Sequence, residues 1–137
     1  MTLEADKFLV ELNKKDDLGP KQFTELQEWI EGQVAHFNSD RGEMELKVLV
    51  VQGRDWSSSR PTQEIVVKRT DNSRSPLTIS YSPSAHTIRY QCVSGSGEFV
   101  LMIDDDSKAY FETPYHVTKT IEEMGQEMLE KFAASPF

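Results

Sequence analysis

Cysteine is nearly absent from this chain: Cys92 stands alone among 137 residues, so neither an intramolecular disulfide nor a multi-thiolate metal site can form. That usage suits a reducing compartment. Long apolar runs are missing as well. None approaches the ~20 residues needed to span a bilayer, and the opening MTLEADKF lacks the basic and then apolar segments of a secretory signal. A cytoplasmic protein with no membrane partner is the expectation. Positive charge is short throughout: the net charge is −8, with nine acids against four bases in residues 1–40, ten against nine in 41–112 and four against two in 113–137. Such a surface repels phosphate backbones, so nucleic acid is not an expected partner. The carboxylates read as solvating groups.

Patterns that carry chemistry are equally scarce. Gly95, Ser96 and Gly97 come nearest to a phosphate loop, yet they join two apolar-alternating segments and precede no helix, so no helix N-terminus assists an anion. His36, His86 and His116 fall at a helix end, a tight turn and the segment before the last helix, and none pairs with another at metal-ligand spacing. Asp104, Asp105 and Asp106 point in successive directions without the alternating oxygen ligands of a calcium loop, and read as a solvated turn. Cys92 shares parity with Ile88 and Tyr90 and reads as a small buried hydrophobe rather than a thiolate. No residue fits the part of nucleophile or general base, and no cofactor is implied.

What is present is periodicity, in a length that suits one domain over residues 1–137. Ala5, Phe8, Leu9 and Leu12 share one arc of a helical wheel and predict a short amphipathic helix over residues 3–14. Gly19 and Pro20 break it, because proline cannot continue the ladder but suits the opening turn of a new helix. Phe23, Leu26, Ile30, Val34 and Phe37 then predict a second helix over residues 20–37. Trp29 falls off that stripe, where it is expected to cover the first helix, the alternative being an exposed contact residue. Gly32 lies nearly opposite the stripe and has no explanation in the sequence. A third helix is expected over residues 119–133, with Val117, Ile121, Met124, Met128 and Phe132 inward and Thr120 with Glu123 as a capping box. Gly125, beside that stripe, would permit close helix packing.

Between the helices, residues 44–112 alternate as strands do. Met44, Leu46, Val48 and Val50 open the sheet, and Ile65 and Val67 follow a long loop over residues 53–61 that contains Trp56. Residues 76–104 read as a three-stranded meander whose core is Leu77, Ile79, Tyr81, Ile88, Tyr90, Cys92, Phe99, Leu101 and Ile103. A last short strand is expected over residues 109–112. The fold class is therefore α+β, with a single antiparallel sheet of about six strands, mostly a meander, and the N-terminal helices and C-terminal helix packed on one face. That order of elements resembles the frataxin architecture. The likeness implies a weak metal-handling ridge over Glu4, Asp6, Glu11, Asp16 and Asp17.

The opposite parity raises the functional question. Leu49, Val51, Val66, Val93, Val100 and Met102 are placed by alternation on the second face of the sheet, where an antiparallel sheet is normally polar. A contiguous apolar patch there either marks an interface or is covered by sheet curvature or a long loop such as residues 53–61. Trp56, flanked by Arg54 and Arg60, either pins its loop to the sheet or joins that interface. The leading expectation is a non-enzymatic interaction or scaffolding domain that meets a protein partner or a second copy of itself through this face. The alternative is a small-ligand protein or enzyme with a pocket between sheet and helices or beneath the 53–61 loop.

Overall fold

Seven antiparallel strands follow one another with no crossover, each hydrogen-bonded to the next in sequence. They are β1 (Leu46–Arg54), β2 (Pro61–Arg69), β3 (Leu77–Ser82), β4 (Thr87–Cys92), β5 (Gly95–Ile103), β6 (Ala109–Glu112) and the two-residue β7 (Thr118–Lys119), framed by α1 (Leu3–Arg41) and α2 (Ile121–Ala134). The structure is a computed structural model that describes residues 3–42, 45–56, 58–73 and 75–134, with only the backbone for residues 3–5. The expectations for Met44 and for the side chains of Glu4 and Ala5 lie outside the described residues. Among those residues no helix is long and apolar enough to cross a membrane.

Alternation along the strands sorts the side chains onto two faces. Ile65, Val67, Leu77, Ile79, Tyr81, Ile88, Tyr90, Phe99, Leu101 and Phe111 lie on one face and are buried under Phe23, Leu26, Ile30 and Val34 of α1 and Met124, Met128 and Phe132 of α2. Seven of the nine expected meander positions are thus core. Cys92 and Ile103 are half-buried, because each ends its strand. Val117 departs from the expected α2 stripe. It is 51% exposed in the loop before β7, and the helix begins at Ile121. Thr120 and Glu123 form the capping box, each backbone N–H donating to the other's side-chain oxygen at 3.0 and 3.1 Å.

The N-terminus corrects the sequence reading: residues 3–41 form one helix that runs through Pro20. A proline inside a helix removes one hydrogen bond and costs about 3 kcal/mol, so tertiary contacts must hold the two halves in line. Gly19 is buried with its Cα facing the Tyr81 hydroxyl; a Cβ there would sit 1.8 Å from that oxygen. One turn on, the rings of Phe23 and Tyr81 stack with centroids 5.8 Å apart. One turn back, Asp16 Oδ1 lies 2.7 Å from His86 Nε2 in the β3–β4 turn, and Lys14 Nζ donates to Ser107 Oγ at 2.6 Å. Residues 6–10 project beyond these anchors and are exposed, Phe8 to 65%.

Trp29 does not cover a separate first helix, as the sequence suggested; it joins the two helices. Its ring lies against Gly125 of α2, where a Cβ would meet ring carbons at 2.3 and 2.4 Å. Gly32 has open space around it. The two glycines therefore predict opposite outcomes in urea unfolding. Gly32→Ala stabilises by up to ~1 kcal/mol through helix propensity alone. Gly125→Ala destabilises by about 1–2 kcal/mol, because the clash with a packed ring exceeds the same propensity gain.

Burial raises the Tyr81 phenol from 10.0 to about 12, with the Asp16 and Asp55 carboxylates adding to the effect. The ionised form is disfavoured only in the folded state. Tyr81 therefore contributes stability that is complete below pH 10.0 and is lost as the pH rises toward 12. The Tyr81 hydroxyl has no hydrogen-bond partner among the described residues, so Tyr81→Phe leaves neutral-pH stability unchanged or higher. The same variant makes the alkaline loss shallower by on the order of 2 kcal/mol, read from urea midpoints across that range.

Candidate functional site

The second sheet face is not the continuous apolar surface expected from alternation. Its middle is polar: Thr78 and Ser80 of β3, Arg89 and Gln91 of β4, and Ser96 and Glu98 of β5 sit side by side by register. This stripe separates two apolar groups. Leu49 pairs with Val66 and flanks Val51 at the β1 edge, whereas Val100 and Met102 lie on β5 beside β6, with Tyr110 opposite Met102. Val93 belongs to neither; it is 56% exposed in the turn between β4 and β5. The structure therefore brings Leu49, Val51 and Val66 together and leaves Val93, Val100 and Met102 apart from them.

β1 is the outer strand of the sheet, which sequence alternation does not reveal. The Thr70 amide bonds the Glu45 carbonyl at 3.0 Å and the Asp55 amide bonds the Arg60 carbonyl at 2.8 Å. Odd-numbered β1 residues thus face β2 with their backbone groups, and even-numbered ones turn N–H and C=O outward. Asn38 closes the first of these: its Oδ1 accepts the Leu46 N–H at 3.0 Å and its Nδ2 donates to the Leu46 carbonyl at 2.9 Å. Val48, Val50 and Gln52 follow, with no strand beside them among the described residues. Leu49, Val50 and Val51 are 37%, 43% and 37% exposed, so apolar side chains project from both faces of this edge. Natural sheets usually blunt such an edge with charge, proline or a cover. Here Asn38 caps the start and Lys47 and Arg54 place charge toward the two ends, leaving Val48 to Gln52 uncharged.

Trp56 sits in the segment 55–60 between β1 and β2 and pins that segment to the polar stripe. The Arg89 guanidinium lies 4.3 Å from its ring centroid, and Arg89 Nε donates to Glu98 Oε1 at 2.7 Å. The anchor is the preceding residue. Asp55 is 1% exposed; its Oδ1 accepts from Ser82 Oγ at 2.5 Å and its Oδ2 from Ser84 Oγ at 2.8 Å and Ser58 Oγ at 3.1 Å. The serine-rich composition around 57–59 was the only sequence signal for this clamp. Its partners Ser82 and Ser84 lie far along the chain.

A cavity of about 1020 Å³ opens between this stripe, the start of β5 and the 113–117 loop. Four of its charged groups are paired, Arg89 with Glu98 and Lys119 with Glu127 at 3.7 Å, and Arg54 and Glu64 also line it. The Tyr90 hydroxyl donates to Glu127 Oε2 at 2.7 Å, and burial together with that carboxylate pushes the Tyr90 phenol well above its ordinary range. No group of His, Cys, Asp or Glu among the described residues is arranged to hold a metal. Of the acidic ridge, Asp16 is engaged by His86 and Asp17 by Lys21 at 3.4 Å. Asp104 forms the solvated turn expected of it, its Oδ1 accepting the Asp106 and Lys108 amides at 2.9 and 2.8 Å. His36 and His116 are exposed and lie 3.4 Å from Asp40 and Glu112. No family model, curated protein or solved structure matches the chain.

The clamp predicts that Asp55→Ala destabilises the protein by about 2–4 kcal/mol, since it strands the buried Ser82 hydroxyl and frees the loop. In a Trp29→Phe background, where Trp56 alone reports, its fluorescence shifts to the red. An unchanged spectrum would show that the loop does not depend on Asp55.

Proposed function

We propose that this chain is a non-enzymatic interaction domain that pairs with a second copy of itself along β1. The observation that carries this reading is the open edge, with Val48, Val50 and Gln52 presenting unpaired backbone groups between exposed Leu49, Val50 and Val51. Two identical strands laid antiparallel are related by a two-fold axis, which closes the assembly at two chains. An axis through Val50 sets Val48 of each copy against Gln52 of the other, and Leu49 against Val51. Lys47 then meets Gly53 and Arg54 meets Leu46, so no like charges oppose one another across the ladder. Leu49, Val51 and Val66 become a shared apolar strip on the second face. The sequence expectation of self-association is kept, with its location moved from the whole face to one edge. A small-ligand reading draws on the cavity beneath Trp56, where four of the six charged lining residues, Arg89, Glu98, Lys119 and Glu127, answer one another.

Light scattering after size exclusion tests the proposal, with a dimer expected at about 100 μM chain. Val50→Lys leaves the core intact, because Val50 is 43% exposed, and weakens association at least about tenfold. A strict monomer at that concentration, or a dimer that Val50→Lys does not weaken, overturns the reading.

A further inference from the structure

β5 carries a second open edge, created inside the sheet by the way β6 ends. β4 accompanies β5 from Gly95 to Val100, but β6 pairs with it only from Val100 to Ile103. The Leu101 amide bonds the His86 carbonyl at 2.8 Å, so odd-numbered residues of β5 face β4 and even-numbered ones turn N–H and C=O the other way. Val100 and Met102 meet Glu112 and Tyr110 of β6. Ser96 and Glu98 meet no strand on that side among the described residues. Continuing the β6 register would set Pro114 against Glu98 and His116 against Ser96. Proline has no N–H to donate, and His116 has φ 64, outside the extended region. The loop bonds to itself instead: the Thr113 amide donates to the Val117 carbonyl and the His116 amide to the Thr113 carbonyl, both at 2.9 Å. Its own needs are met and those of β5 are not.

The gap between this edge and the loop is one part of the cavity of about 1020 Å³, with Ser96, Gly97 and Glu98 on one side and Thr113, Tyr115 and Val117 on the other. Gly97 adds no side chain to obstruct it, and a Cβ there would strike the Tyr90 ring at 2.5 Å. We propose that this gap binds an extended peptide of another protein, which adds a strand to β5 through the backbone groups of Ser96 and Glu98. Residues of that peptide facing inward meet the exposed Val117 and, beside the buried Tyr90, the Lys119–Glu127 pair. Those facing outward meet Gln91 and the Arg89–Glu98 pair. The segment that fits alternates apolar and polar side chains, its affinity coming from main-chain hydrogen bonds and its selectivity from the alternate pockets. This site uses neither β1 nor the two-fold contact and stands or falls separately.

Amide hydrogen exchange resolved by residue tests it. In the free protein the Ser96 and Glu98 amides exchange fast while those of Gly97 and Phe99, bonded to β4, are slow. The probe is an acetylated heptapeptide of alternating threonine and valine with a lysine at each end. At saturation it slows exchange at Ser96 and Glu98 by at least about tenfold and gives intermolecular NOEs to the Glu98 amide. Ser96→Pro, at an edge position whose N–H points outward, weakens the peptide at least about tenfold, whereas Val50→Lys leaves its affinity unchanged. Should Ser96→Pro lose the fold, the exchange and NOEs of the unaltered protein decide. Protection of Ser96 and Glu98 in the free protein, or exchange unaltered by the peptide at about 1 mM, overturns the proposal. So does protection that grows with protein concentration alone, which would assign the edge to a second copy.

Discussion

The fold depends on how one helix is seated on the sheet. Tyr81 lies against the bare Cα of Gly19 and stacks on Phe23, and these contacts straddle Pro20, the one residue that would otherwise end the helix. With the ring in place, α1 runs on across the sheet to Asn38, whose side chain caps the start of β1. Trp29, carried on the same helix, then supplies the flat surface onto which Gly125 brings α2. Loss of the Gly19 contact would leave a proline-interrupted segment with nothing to keep its halves in line. The Tyr81 hydroxyl, without a partner among the described residues, is the counterpart of this close approach, since a ring packed flush to a helix leaves little room for an acceptor.

Where ladders stop matters more to this protein than what its sheet faces expose. An interior strand satisfies its backbone on both sides, and an edge strand offers half of it to solvent. At β1 that offer is partly withdrawn by Asn38. At β5 it arises because Pro114 ends the pairing early and the loop then closes on itself. The polar stripe of Thr78, Ser80, Arg89 and Gln91 keeps the second face solvated between the two edges. The backbone groups left over therefore lie along strands rather than across faces, and an extended partner would pair with them through hydrogen bonds that do not depend on side-chain identity.

Much of the core was legible before any coordinates. Period-two alternation picked out Leu77, Ile79, Tyr81, Ile88, Tyr90, Phe99 and Leu101, and period 3.6 picked out Phe23, Leu26, Ile30 and Val34, because a one-sided element must bury its apolar side whatever packs on it. The candidate site was far less legible. Gly95–Ser96–Gly97 reads locally as a turn and is instead the start of β5, its small residues tolerated because Tyr90 fills the space over Gly97. Val50 shares parity with core residues but sits on the outermost strand, so its exposure follows from sheet order rather than from its neighbours in sequence. Nothing in the local sequence singles out Asp55, and only the fold brings Ser82 and Ser84 to its carboxylate.

Composition and local pattern determined the class of this protein: an acidic α+β domain whose apolar positions repeat every two residues in the strands and every three or four in the helices. Those properties are set by residues close together in the chain, where period and propensity act. Tertiary structure decided the continuity of α1 through Pro20, the polar division of the second face, and the two open edges at β1 and β5. Each of these turns on a contact or a missing neighbour separated by tens of residues, which local sequence does not encode.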